Sequence, residues 1–161
     1  MIDLCDMEAL SVRQPWAWLI VQRRKLFENR DWSHGYPARR KVVHGKRILI
    51  HAAAGMTRDE YAACLAIAGE YGVEIPAFAD LRRGGIVGWA VIQAWRERRP
   101  NLPFAFGSGI ELNTAGALGF MPCKGALGFF KPEFPSREAY ARMARELAML
   151  DGPEGCTAEV G

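Results

Sequence analysis

Apolar and polar positions along the chain change period several times, and the changes mark its elements. Residues 9–12 read as a short strand. From Gln14 the apolar residues Trp16, Leu19 and Ile20 recur at i, i+3 and i+4, the spacing of one helix face. Pro15 suits the first helical position, where its missing N–H costs nothing, so a helix is expected over 15–24. Beyond Arg24 the helical period stops, and residues 25–32 read as extended, with charges inside what should be a core strand. R-I-L-I-H-A-A at 47–53 is an apolar run after a turn, read as a strand. Thr57 and Glu60 form a capping-box pattern that opens a helix expected to run to Tyr71 and stop at Gly72. G-I-V-G-W-A-V-I-Q-A-W at 85–95 is the strongest strand, with Gly88 marking a bend or bulge. Residues 110–121 are expected to form one or two short strands broken at 114–116, and 126–130 a last strand. Ser136 is the expected N-cap of a final helix over 135–150, with Tyr140, Met143 and Leu147 on one stripe.

Strands interspersed with three helices, without regular βαβ alternation, predict an α+β or β-barrel domain. The expected organisation is an N-terminal lead (1–8), one domain (9–131), a C-terminal helix packed on it (132–150) and a disordered tail (151–161). At 161 residues the chain suits one domain with a proper core. No window approaches the roughly 18 apolar residues of a membrane span. The acidic N-terminus lacks the basic start of a secretory signal, so a cytoplasmic protein with reduced thiols is expected.

Charge changes the picture more. From Arg13 to Arg47 ten Lys or Arg stand against two acids, a local excess of +8, while the rest of the chain carries −5. Such an excess is the electrostatic footprint of a polyanion partner. Arg13, Arg23, Arg24, Arg39, Arg40 and Lys41 are the expected phosphate contacts, several of them on a Gly- and Pro-bearing loop over 33–46. The ordinary alternative is that these cations cap helices or coat a surface. Cys5, Cys64, Cys123 and Cys156 contain no C-x-x-C pair, and His34, His44 and His51 match no compact ligand spacing; neither a metal nor another cofactor is expected.

Lys25, Glu28 and Arg30 are the candidate chemistry. On a strand Glu28 and Arg30 share a face, and Lys25 reaches Glu28 if the chain turns between helix and strand. A buried lysine loses basicity and can serve as a general base, with Glu28 orienting it. The plainer reading is that Lys25 complements the helix C-terminus while Glu28 and Arg30 pair at the surface. Trp16, Trp18 and Trp32 offer stacking faces for bases, although Trp16 sits on the apolar helix stripe. Lys124, in a glycine-bearing turn, is a further cleft candidate.

S-V-R-Q-P-W-A-W-L-I, R-K-L-F-E-N-R-D-W, R-I-L-I-H-A-A, G-G-I-V-G-W-A-V-I and P-C-K-G-A-L-G-F-F, in this order over residues 9–131, resemble the ASCH domain. The closest likeness is to the branch with the Q-P-W-A signature, similar to the ASCH domain of the human transcription coactivator. The resemblance implies a PUA-like fold, a small β-barrel of about five to seven strands flanked by helices, with a cleft suited to RNA. It places the family's G-x-K-x-x-E-x-R element on residues 23–30, with Lys25, Glu28 and Arg30 matching and Arg23 where glycine is expected. Gln14, Pro15, Trp16, Trp32, His51 and Lys124 join the expected cleft. Some short ASCH proteins are amidohydrolases of N4-acetylcytidine that use a lysine, a threonine three residues later and a distant glutamate; here Glu28 stands in the threonine's place. The expected partner is therefore nucleic acid, RNA rather than DNA, or a modified nucleoside. The alternatives are a small hydrolase (amidohydrolase or ribonuclease) and a non-catalytic protein-interaction module.

Overall fold

The computed structural model describes residues 3–152. Its elements run β1 (Ala9–Val12), α1 (Trp16–Val21), β2 (Phe27–Asn29), β3 (Arg47–Ala52), α2 (Arg58–Glu70), β4 (Gly85–Arg96), β5 (Gly109–Pro122), β6 (Phe129–Phe130) and α3 (Arg137–Leu150). The strands form one mixed sheet in the order β2-β5-β4-β3-β1-β6. Only β1 and β3 pair in parallel; the other ladders are antiparallel.

The α+β class and the strand number agree with expectation, but the barrel does not close. The edge strands β2 and β6 have no ladder with each other. At three and two residues they are too short to zip together. Side chains bridge the seam instead. Arg30 Nη2 donates to the Ser11 carbonyl at 2.6 Å, and Trp32 meets Phe129 of β6 edge-on at 5.9 Å.

The core divides because strand side chains alternate between faces. Ile48, Ile50 and Ala52 of β3 join Ala17, Ile20 and Val21 of α1 on one side. Leu49 faces the other way, with Trp89 and Met121, where α3 lays down Met143 and Leu147. Burying those two side chains contributes about 1.5–3 kcal/mol each. Leu4 and Met7 belong to the same cluster and anchor the N-terminal lead to the core, while Cys5 and Asp6 between them are exposed. A third cluster joins Leu19, Cys64, Ala68 and Phe104.

Helix α1 is shorter than the expected 15–24. It ends at Val21 because Arg23 takes φ 59. The Arg23 N–H bonds the Ile20 carbonyl and the Arg24 N–H the Leu19 carbonyl, both at 2.9 Å, a Schellman closure. Helix α2 starts on the expected Thr57/Glu60 capping box and stops before Gly72, φ 68. The expected break at 114–116 is absent: β5 runs unbroken. Gly116 serves close approach rather than a turn, since a Cβ there would lie 2.6 Å from Trp89 Nε1. Ser136 caps α3 as expected. Of the expected tail, only Asp151 and Gly152 are described; the rest lies outside the described residues, as does Cys156. Cys5, Cys64 and Cys123 are free thiols.

Candidate functional site

The turn that ends α1 delivers Lys25 into the interior. Its side chain is 2 % exposed; Nζ donates to the Phe27 carbonyl, lies 3.6 Å from Glu28 Oε2 and sits 5.9 Å from the Trp16 ring centre. Burial pulls the ammonium below its usual pKa, against the opposing pull of Glu28. Glu28, also buried, holds Arg30 on its other oxygen at 3.2 Å. That approach is too oblique for a hydrogen bond, so Arg30 Nε has no bonded partner while Nη2 takes the Ser11 carbonyl. The guanidinium lies 5.5 Å from the Trp32 ring centre. Lys25, Glu28, Arg30 and the β1 backbone thus form one charge-alternating row from the interior to the seam, continuous but largely closed to solvent.

Next to this row the surface opens. A cavity of about 720 Å³ is lined by Ser11, His51, Gly84, Lys124, Gly125 and Leu127, among others. His51 is buried at its base, with Nδ1 3.0 Å from Ser11 Oγ and Nε2 2.8 Å from the Cys123 carbonyl. Burial lowers its pKa, opposed in part by that carbonyl. Of the expected cleft residues, His51 and Lys124 line this cavity and Arg30 approaches it through Ser11.

Gln14 is buried and structural. Its amide donates to the Arg82 carbonyl at 2.8 Å and its oxygen accepts the Trp18 N–H at 2.9 Å. The Gln14–Pro15 bond is cis. Pro15 is buried, and Trp16 packs edge-on against Phe104.

The expected phosphate contacts divide. Arg13 is clamped by Glu60 through two bonds of 2.6 and 2.7 Å; these, with the Thr57 backbone, hold Glu60 down to about 2. Arg39 pairs with Glu97 at 2.7 Å, and Lys41 shares Glu8 with Lys46. The acids that offset the basic segment come from outside it. Arg23, Arg24, Arg40 and Lys124 are exposed. Arg39 also lies 4.6 Å from the Trp95 ring centre. Trp95 stacks on Trp32 at 6.0 Å, and Trp32 on Tyr36 at 5.5 Å. A four-layer column of cation and π faces results, ending on the exposed ring of Tyr36. Among the described residues, no three His, Cys, Asp or Glu side chains gather as metal ligands, and no helix is long and apolar enough to cross a membrane.

The model of the ASCH domain matches residues 10–101, which spans both the charged row and the Ser11–His51 contact. The chain belongs to the ASCH domain family. No curated protein matches it. Nucleic acid is the broad kind of partner that ASCH membership implies. Within the ASCH frame, sequence reasoning singled out the row but missed Ser11, Tyr36 and Trp95. Ser11 stood inside the signature stretch, yet its meaning depends on a parallel register 40 residues away, and Trp95 read simply as strand.

Proposed function

We propose that this ASCH domain binds single-stranded nucleic acid, RNA rather than DNA, as a cytoplasmic member of the Q-P-W-A branch similar to the human transcription coactivator's domain. The observation that carries this reading is the column of Arg39, Trp95, Trp32 and Tyr36. Its open end presents one aromatic face beside a basic segment. Single-strand binders pair such stacking faces with cations that follow the phosphates, and stacking is worth about 1–3 kcal/mol per base. Tyr36 takes the first base, while Arg23, Arg24, Arg40 and Lys124 supply free positive charge. Arg13, Arg39 and Lys41 contribute only as a phosphate displaces their carboxylates.

Titration of fluorescently labelled single-stranded RNA against salt tests it. With three or four phosphates neutralised, the slope of log K against log salt should be roughly −2 to −3. Tyr36→Ala should weaken binding about tenfold or more. Absence of binding at about 50 mM salt, or a flat slope, defeats the proposal.

A second reading, a hydrolase with Lys25 as general base and Glu28 orienting it, draws on the lowered pKa of Lys25. It requires a substrate to reach an ammonium that the fold encloses. Lys25→Ala should then abolish hydrolysis of an N4-acylated nucleoside, and full retained activity rejects the base. An interaction module without catalysis predicts neither RNA binding nor turnover.

A further inference from the structure

The Ser11–His51 contact holds a group that neither the charged row nor the aromatic column uses. The two residues are register partners across the parallel β1–β3 ladder. Opposite His51, β4 carries a bulge: Ile50 pairs with Gly88 and His51 with Ile86, leaving Val87 unpaired. Bulges of this kind locally redirect the sheet and recur beside active sites.

The tautomer follows from the partners. The Cys123 carbonyl can only accept, so Nε2 of His51 carries the proton; Nδ1 therefore presents its lone pair to the Ser11 hydroxyl. Hydroxyl, imidazole and orienting acceptor stand in the order that activates a serine. The space above them is kept by Gly125, where a Cβ would lie 2.7 Å from His51 Cε1 and 3.0 Å from Ser11 Oγ. A buried Ser–His pair often does no more than satisfy two polar groups. That explanation leaves out the cavity into which this pair opens and the cation on its wall.

We propose that Ser11 and His51 are the nucleophile and base of a hydrolase for small acyl esters bearing an anionic group. Small walls at Ala53, Ala54, Gly84 and Gly125 admit a compact acyl group, and Lys124 receives the negative charge. Ser11 Oγ bonds to the acyl carbon as its proton passes to His51 Nδ1, and the carbonyl π pair moves onto oxygen. Collapse of that oxyanion breaks the ester C–O bond, and the departing alkoxide takes the proton from Nδ1. Water then gives a proton to Nδ1 and its oxygen to the acyl carbon; the second collapse releases the acid and returns the proton to Ser11. General-base assistance of this kind is worth about 10²–10⁴ in rate. None of this requires nucleic acid.

The full chain is treated with a fluorophosphonate probe, and the adduct is mapped by peptide mass; acyl turnover is followed with p-nitrophenyl acetate and with its carboxylate-bearing homologue p-nitrophenyl hemisuccinate. One adduct on Ser11 is expected, with a p-nitrophenolate burst and a preference for the anionic ester that Lys124→Ala erases. Ser11→Ala should remove the adduct, and His51→Gln should slow labelling by roughly 100-fold. The wild-type labelling rate should fall on acidification as the imidazole protonates, at a pH below the usual histidine value because burial lowers its pKa. The proposal is overturned by a folded wild-type chain with no adduct on Ser11, by an unchanged labelling rate in folded His51→Gln, or by equal turnover of the two esters. Should His51→Gln fail to fold, a wild-type labelling rate that stays flat from about pH 8 down to the onset of acid unfolding overturns it equally.

Discussion

Arg23 holds a left-handed backbone, φ 59, at the position that ends α1, where a Cβ costs roughly 1–2 kcal/mol. ASCH resemblance places glycine there, and the geometry explains why: glycine adopts this conformation freely. Arg23→Gly should raise stability by about 0.5–1 kcal/mol after the entropy that glycine adds to the unfolded chain, read as a higher urea midpoint. The same substitution removes an exposed cation and should weaken RNA binding, so stability and affinity move in opposite directions. Lys25 gives a second test. Its folded pKa is lowered by burial, so above that value the unfolded chain binds more protons and stability rises with pH, up to the unfolded value of about 10.4. Lys25→Met should lose this rise, seen as a smaller difference between urea midpoints at neutral and alkaline pH than in wild type.

At the scale of elements, α2 shows what local sequence can specify. Thr57 Oγ1 accepts the Glu60 N–H at 3.1 Å, and Glu60 returns to the Thr57 N–H at 2.7 Å. Thr57→Ala should cost about 1 kcal/mol, a melting shift of about 2–4 °C for a domain of this size. These signals lie within four residues of each other, and they were legible. The end of α1 was not, because a non-glycine residue makes the turn. Nor was the continuity of β5: Gly116 resembles a breaker until the Trp89 ring is seen against it. The Lys25, Glu28 and Arg30 row was legible in its spacing, but its enclosure was not. That depends on Trp16, Cys64 and Phe104 gathering from α1, α2 and the loop between β4 and β5.

The whole molecule redistributes charge that the linear chain concentrates. The +8 segment reads as a uniform polyanion-binding surface, yet Glu8, Glu60 and Glu97 return to it from outside and occupy Lys41, Lys46, Arg13 and Arg39. Glu8 is held below the usual carboxylate range by the two lysines despite its partial burial, and Glu60 at about 2 by Arg13 and the Thr57 backbone. Their folded pKa values are depressed, so these pairs contribute fully above the unfolded value of about 4.3 and are lost as pH falls through the folded ones. Acid titration by circular dichroism should therefore show stability declining from about pH 5 downward. His51 adds an earlier loss: its folded pKa is also lowered, so acidification below about 6.5 protonates the unfolded chain first. His51→Gln should remove that upper part of the decline.

The seam between β2 and β1/β6 gives this sheet a hinge line. Everywhere else, neighbouring strands are joined by backbone ladders. Here the wall is fastened by Arg30 on the Ser11 carbonyl and by Trp32 on Phe129. Opening it breaks no strand-to-strand backbone bond, but Arg30 must release the Ser11 carbonyl and Trp32 must leave Phe129, Tyr36 and Trp95. Moving side chains packed this way is slower than the picosecond-to-nanosecond flips of free ones, yet it spares the local unfolding that unzipping a ladder demands. Both latches sit on residues of the proposed ligand surface, one beside the Ser11–His51 cavity and one inside the aromatic column. A ligand seated at either fastener would pull on it. Its grip would be registered as solvent exchange along β1 and β2, while β3, β4 and β5 stay quiet.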